Sequence, residues 1–311
     1  DREAMVLRRV KEANPGPLDG EEVARIFREI MSACLALEKP LDVAYLGPEG
    51  TFTQSAALKH FGHSVNTTAL SSIGDVFREV ESGACDYGVV PVENSTEGVV
   101  SHTLDMFLNS PLQIVGEVAL RVHHNLLGLK DDNWVAAKCV YSHPQSFAQC
   151  RNWLDQNLPN ARYEALSSNA EAARVASGDA DTLAIAGSDA AARYGLRILA
   201  SNIEDEPGNT TRFLVIGRHP VASTGDDKTS LLLSTRNVAG SLQRLLAPLA
   251  EYGISMTRIE SRPSRRGMWD YVFFVDVIGH RDNPAMTKAL AALEKEAALY
   301  KILGSYPRAV L

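Results

Sequence analysis

Asn209-Thr210-Thr211-Arg212-Phe213, followed directly by Leu214-Val215-Ile216, is a polar corner running into an apolar strand. Gly208 gives the backbone freedom in front, and the β-rich run behind reads as a strand that holds Thr211 and Arg212 rigidly. A hydroxyl beside a guanidinium suits an anionic substrate that must lose an oxygen: the arginine clamps a carboxylate and the threonine donates a hydrogen bond. Taken alone, Thr-Arg-Phe at a strand start is ordinary structure. Its weight comes from other corners of the same kind.

Working outward, short apolar strands alternate with helices from Leu41 to about Gly217. Strands are expected over 43–46, 87–92, 113–122, 139–142, 183–186 and 213–216, and helices over 72–81, 144–157 and 169–176. This alternation predicts a largely parallel α/β architecture, long enough for two lobes with a cleft between them. Residues 219–228 are polar and read as a linker. Beyond them the order is strand (229–235), helix (240–252), strand (255–260), strand (271–278), helix (284–297) and strand (300–305). That is βαββαβ, the ferredoxin-like layout.

Residues 1–39 are helical in pattern. Ala4, Val6, Leu7 and Val10 form one stripe, which Asn14-Pro15-Gly16-Pro17 interrupts. A second helix starts near Asp19, a cap residue with Glu22 three positions on. Its stripe of Val23, Ile26, Phe27, Ile30 and Leu37 wants a partner surface, so this short all-α segment reads as part of a larger bundle.

The 311 residues call for two or three domains, and 45% apolar with 22% charged residues is ordinary globular composition. No apolar run is long enough to span a bilayer, and nothing N-terminal resembles a secretory signal. Cys34, Cys85, Cys139 and Cys150 are widely spaced, which argues against disulfides and structural zinc and for a cytoplasmic setting. A net charge of −7 argues against nucleic acid, and equally against long-range attraction of an anion. An anionic substrate therefore needs local capture, by helix N-termini and a few arginines.

Five further corners could carry chemistry. Gly47-Pro48-Glu49-Gly50-Thr51-Phe52 follows a strand and opens a helix, where free N–H groups favour an anion; it reads equally well as a tight turn. Glu93-Asn94-Ser95-Thr96-Glu97 places five polar residues after a buried strand, costly unless they cap a helix or meet a ligand. Ser142-His143-Pro144-Gln145 puts proline at a first helical turn, and His143 is a candidate base or a hydrogen-bonded structural residue. His123 and His124, inside an apolar segment, read as structural or interfacial. In the C-terminal unit, Asn237-Val238-Ala239-Gly240-Ser241-Leu242 and Glu260-Ser261-Arg262-Pro263 together suggest a site for a ligand with ammonium and carboxylate groups.

Five of these motifs, Gly-Pro-x-Gly-Thr-Phe, Val-Glu-Asn-Ser, Ser-His-Pro-Gln, Asn-Thr-Thr-Arg-Phe and Glu-Ser-Arg-Pro, occur in one order, and in that order the chain resembles prephenate dehydratases with a C-terminal ACT regulatory domain. The resemblance implies a two-lobed, periplasmic-binding-protein-like dehydratase domain (41–218), a βαββαβ ACT domain (228–311), and the C-terminal helices of a chorismate mutase (1–39). It implies a cofactor-free, metal-free reaction in phenylalanine biosynthesis, prephenate losing carbon dioxide and its ring hydroxyl to give phenylpyruvate. Thr211 then stands at the centre, relaying a proton or hydrogen-bonding to the departing oxygen. Arg212 orients a carboxylate or braces the loop, Phe213 packs behind, Asn94 and Gln145 position substrate, and Thr51, Ser95 and Glu93 assist.

The ACT resemblance implies feedback inhibition by phenylalanine at an interface between two such domains, through Gly240, Ser241, Leu242, Glu260, Ser261 and Arg262. Ser241 stands where the family usually has alanine, which puts inhibitor affinity in doubt. Glu3 and Glu38 fall where mutases place active-site polar groups. The long first mutase helix is not in the sequence, so little mutase activity is expected. Exposed edges of the βαββαβ unit and the unsatisfied helices predict at least a homodimer. Two other readings stand beside this one: arogenate dehydratase, the same elimination on an amino acid, and a non-catalytic amino-acid-sensing module. A NAD-dependent dehydrogenase would need a dinucleotide fingerprint that the sequence lacks.

Overall fold

The computed structural model describes residues 2–130, 134–236, 238–264 and 271–309. Two helices open the chain, α1 (Arg2–Glu12) and α2 (Gly20–Glu38). The Asp19 carboxylate caps α2 by accepting from the Glu21 amide at 2.6 Å, one residue earlier than the pairing with Glu22 expected from sequence. Leu7 and Ala24 are buried between the helices and the body, but Ile26, Phe27, Ile30 and Leu37 stay exposed, Leu37 to 89%. The second stripe is therefore only partly covered within the described residues, Val23 being its half-buried member.

The first lobe is built from β1 (Asp42–Leu46), α3 (Phe52–Phe61), β2 (Asn66–Leu70), α4 (Ile73–Ser82), β3 (Tyr87–Asn94), β4 (Gly98–Val99), α5 (Ser101–Phe107) and β5 (Gln113–Arg121). The chain then enters a second lobe of β6 (Asn125–Gly128), β7 (Cys139–Ser142), α6 (Pro144–Gln149), α7 (Arg151–Asn157), β8 (Arg162–Ala165), α8 (Asn169–Ala176), β9 (Thr182–Ala186), α9 (Ser188–Tyr194) and β10 (Arg197–Ala200). It returns through β11 (Thr210–Gly217), which inserts between β3 and β5.

The first sheet runs β2-β1-β3-β11-β5 with β4 on the side of β3; the second runs β10-β6-β9-β7-β8. Neither is as parallel as the sequence pattern suggested. β11 is antiparallel to both β3 and β5, and β6 to both β9 and β10. Each of these is the strand by which the chain passes from one lobe straight into the other, with no crossover helix to keep it parallel. The single helix expected over 144–157 is two, broken at Cys150, whose φ/ψ of −116°/14° is not helical.

The third sheet is β12 (Asp227–Ser234), β13 (Met256–Pro263), β14 (Tyr271–Ile278) and β15 (Leu299–Pro307) in the order β13-β14-β12-β15, fully antiparallel, with α10 (Ser241–Glu251) and α11 (Pro284–Glu296). Alternation divides its side chains. Leu231, Leu233, Val275 and Val277 pack under the helices, while Leu232, Val272 and Phe274 join the core of the first lobe with Leu104, Phe107 and Ile114. Contact there is close: a Cβ on Gly304 would fall inside van der Waals distance of the Ile114 carbonyl oxygen and 2.8 Å from its amide nitrogen.

Candidate active site

The two passages between lobes, residues 122–124 and 201–209, lie beside the strand ends that carry the polar corners. A cavity of about 470 Å³ opens there. Thr51, Asn94, Thr211 and Phe213 line it from the first lobe; His143, Gln145, Gln149 and Asn169 line it from the second; His124 and Asn209 come from the passages.

Strand geometry explains why Thr211 faces it. Residues 211 and 213 share one face of β11, and both line the cavity, while 212 points the other way. On β3 a bulge does the same work: Phe213 pairs with Pro91 and Arg212 with Glu93, leaving Val92 unmatched. The extra residue re-aims the strand end, so that Pro91 and Asn94, three apart, both reach the cavity.

One chain of hydrogen bonds joins the corners. Asn94 Nδ2 donates to Thr211 Oγ1 at 2.8 Å and to Asn209 Oδ1 at 2.8 Å, and Asn94 Oδ1 accepts from the Thr96 and Glu97 amides at 2.9 and 3.0 Å. Asn209 Nδ2 donates to Gln149 Oε1 at 3.0 Å; Gln149 Nε2 donates to Glu97 at 3.1 Å. His124 Nε2 lies 2.8 Å from Gln149 Oε1. Two backbone amides fix the Asn94 amide at one end and a carboxylate fixes Gln149 at the other, so the direction of every bond between them is set. Thr211 Oγ1 accepts from Asn94, which leaves its own proton free to be donated elsewhere.

Among the described residues lining the cavity there is no lysine or arginine, and Glu97 is the one carboxylate. What the walls offer an anion is backbone and amide N–H. Thr51 and Ser168, the cap residues of α3 and α8, both line the cavity, so a helix start from each lobe faces it. His143 caps α6, its Nδ1 accepting from the Gln145 amide at 3.3 Å. Burial holds the His143 pKa below its ordinary value despite the opposing pull of Glu97, which suits an uncharged cap.

Contacts across the mouth hold the lobes together. Gly50, at φ +85°, lies so close to α9 that a Cβ there would be 3.2 Å from Ala190 Cα. Tyr194 Oη donates to the Glu49 carbonyl at 3.0 Å, and Glu49–Arg193 and Ser55–Asp189 pair alongside.

A family model described as prephenate dehydratase matches residues 43–221, a span that contains every one of these corners. The chain belongs to the prephenate dehydratase family. An ACT domain model matches 229–295 and a type II chorismate mutase model matches 1–39. The bifunctional chorismate mutase/prephenate dehydratase of Stutzerimonas stutzeri is 57% identical over 311 residues, covering all of this chain and 85% of that protein. Among solved structures, the prephenate dehydratase of Arthrobacter aurescens in complex with L-Phe is 33% identical, with a TM-score of 0.80 over 86% of this chain and 90% of that one. GqqA, described as a novel type of quorum quenching acylase, is 30% identical with a TM-score of 0.79 over 86% and 98%. Such a neighbour shows that this fold by itself does not choose a chemistry.

Against the family's motifs, Thr211, Asn94, Gln145, Thr51 and Phe213 meet at the one cavity. Three residues expected beside them do not. Arg212 turns to the opposite face of β11, where Nε bonds Glu117 at 2.9 Å and Nη2 bonds Asp276 at 2.8 Å and the Tyr306 hydroxyl at 3.2 Å. Burial opposes its charge, but Tyr306, Asp276 and Glu117 outweigh it and hold the guanidinium pKa above its ordinary value. Arg212 thus joins the dehydratase sheet to the ACT sheet instead of facing the cavity as a carboxylate clamp. Glu93 likewise turns away, 3.1 Å from Arg258 and 3.7 Å from Arg212. The Ser95 hydroxyl accepts from the Thr210 amide at 2.9 Å, stitching two corners together rather than lining the cavity. Sequence reasoning gives no role to Gln149, Asn169 and Asn209 and reads His124 as structural or interfacial. Asn209 opens the very motif that mattered most, and polarity at that corner was the signal.

In the ACT unit, Gly240 adopts φ +74° at the start of α10, with Ser241 and Leu242 behind it, and Glu260, Ser261 and Arg262 lie on β13. Arg262 bonds Asp105 of α5 at 2.9 and 3.2 Å, so its guanidinium already holds a carboxylate of the first lobe. Asn237 lies outside the described residues. Glu3 and Glu38 line a common cavity of about 560 Å³ with Ser32, Cys34 and Phe61, and burial raises the Glu3 pKa.

Proposed function

We propose that the chain converts prephenate to phenylpyruvate, that the cavity between the lobes is its active site, and that phenylalanine held by the ACT unit restrains it. The observation that supports this best is the Asn94–Thr211 bond, which turns the threonine's own proton toward a polar cavity with no lysine or arginine among its described lining residues. Prephenate carries two carboxylates and one ring hydroxyl. Loss of carbon dioxide sends an electron pair into the ring, the C–O bond breaks, and aromatisation drives both. The protein has to orient a dianion and ease out the oxygen.

Thr211 donates a hydrogen bond to that oxygen as negative charge grows on it. Asn94 is the residue that aims Thr211, and Gln145, with the helix starts at Thr51 and Ser168, faces the carboxylates through N–H groups. Neutral donors fit here: they select a dianion without holding the monoanionic product too tightly. No step calls on a metal or organic cofactor. The reaction is that of a cytoplasmic biosynthetic enzyme, and the exposed α2 side chains and the edge position of β13 among the described strands support a homo-oligomer.

The test is to incubate the protein with prephenate and with arogenate, each with and without phenylalanine, and to follow the aromatic product. Thr211→Ala is expected to lower kcat by about 10²–10³ while the thermal melt stays put. Near-normal turnover by that variant removes Thr211 from the chemistry.

A further inference from the structure

His124 holds an unmade bond. The residue is 2% exposed and lines the cavity, and its ring meets Phe52 edge-on with centroids 5.9 Å apart. Gln149 Oε1 also accepts from Asn209, and a carbonyl oxygen can only accept, so His124 Nε2 carries the proton. Nδ1 is left as a bare lone pair, buried, with no hydrogen-bond partner among the described residues. A buried acceptor without a donor is unfavourable and needs a reason.

The proposed substrate supplies one. Prephenate enters as a dianion, and phenylpyruvate leaves as a monoanion with carbon dioxide and water. The balance therefore consumes one proton: the carboxylate's electron pair goes into the ring, the C–O pair leaves with oxygen, and oxygen must be protonated to depart as water. Threonine, an unperturbed alcohol, has no proton to give up outright at neutral pH. Two imidazoles line the cavity, and the Nδ1 of His143 is occupied as the α6 cap.

We propose that His124 is a further catalytic residue of this site: it takes up a proton at Nδ1 as the dianion enters and gives it to the departing oxygen, beside the Thr211 hydrogen bond. This rests on the function proposed above and deepens it. The surroundings fit a group that changes charge. Burial keeps the ring neutral at rest, against the pull of the Gln149 bond and of Glu204 and with the push of His123. Glu204 also takes the His124 backbone N–H at 2.9 Å and His123 Nδ1 at 2.8 Å. Glu97 stands behind Gln149, and His143 shares the cavity. Against that neutral starting point, two incoming negative charges favour the imidazolium.

The sign follows. In the free protein the imidazole titrates below its ordinary value, so kcat/KM falls about tenfold per unit as pH rises above it. In the complex the dianion raises the titration, so the fall in kcat comes at higher pH than the fall in kcat/KM. His124→Gln keeps a donor toward Gln149 and has nothing to titrate. It is expected to lower kcat by about 10²–10³ and to abolish the pH dependence between about pH 6 and 8. An unchanged profile in that variant, or turnover within about threefold of wild type, overturns the proposal. A second measurement leaves the ring in place: ¹⁵N-histidine NMR of Thr211→Ala with saturating prephenate. Protonation of Nδ1 on binding supports the proposal, and a ring that stays neutral overturns it whatever the folding of the glutamine variant. Wild-type protein that makes no phenylpyruvate at any pH overturns the functional reading itself, a distinct result.

Discussion

Asn94 shows how one amide can fix a site. Its two N–H bonds go to Thr211 and Asn209, and its oxygen takes two backbone amides, so every hydrogen-bonding position it has is occupied by the protein. Asn94→Asp should therefore be worse than its size suggests. The new oxygen faces Asn209 Oδ1 and the Thr211 hydroxyl, which would turn its proton back toward the carboxylate and away from the cavity. We expect kcat to fall by about 10²–10³ with KM changed less than tenfold, measured by steady-state kinetics on prephenate. The Thr211–Arg212 pair carries a plainer lesson. Adjacent residues on a strand face opposite ways, so the sequence already held the reason why threonine and arginine could not both address one ligand. Reading them as side by side ignored the pleat. His124 was harder to read, since nothing in an apolar run says that the chain is passing between lobes there.

At the level of elements, legibility followed burial. Strands with a buried face, such as β1, β3, β5, β9 and β11, announce themselves by apolar runs, and the βαββαβ order of the last third was legible, with strand ends off by as much as the 260 expected against Pro263 observed in β13. The edge strands β2, β8 and β10 did not. Asn66–Leu70 and Arg162–Ala165 have no fully buried residue, so neither periodicity nor hydrophobicity marks them, and they are held by pairing alone. β6, although fully buried, is four residues long, too short to show a period. Gly304 supplies a test of how closely elements from different domains meet. On Gly304→Ala the new methyl would collide with the backbone of Ile114, and backbone cannot rotate aside as a side chain does. β15 would have to lift from β5. We expect a loss of roughly 1–3 kcal/mol, read as a lower urea midpoint, with the ACT sheet itself still formed by circular dichroism.

Across the whole molecule, the strands that carry Thr211 and Asn94 are the strands the ACT sheet grips from behind. Arg212 and Glu93, one residue from each, share a charged cluster, buried except at the partly exposed Glu93, with Glu117 of β5, Lys228 of β12, Arg258 of β13, Asp276 of β14 and Tyr306 of β15. Three cations meet three carboxylates, so the cluster is balanced, and Ser230 donates to Asp276 at 2.6 Å while lying 2.7 Å from the Tyr306 hydroxyl. Every strand of the ACT sheet contributes to it. A shift of that sheet on binding a ligand would have a rigid path to the proposed catalytic corners, because charges as buried as Glu117 and Asp276 cannot trade partners for water. Asp276→Asn tests the path. It keeps the shape and the hydrogen bond from Ser230 but leaves Arg212 with one anion fewer. Removing one partner of a buried pair should cost about 3–5 kcal/mol of stability, seen in denaturant titration. The specific expectation is a weakened grip: phenylalanine should still bind, as calorimetry would record, yet inhibit phenylpyruvate formation at least about tenfold less well, a coupling change within the usual 1–3 kcal/mol. If inhibition in that variant tracked binding as closely as in the wild type, the route from the ACT unit to Thr211 would have to run elsewhere, with the Arg262–Asp105 contact on α5 the next place to cut.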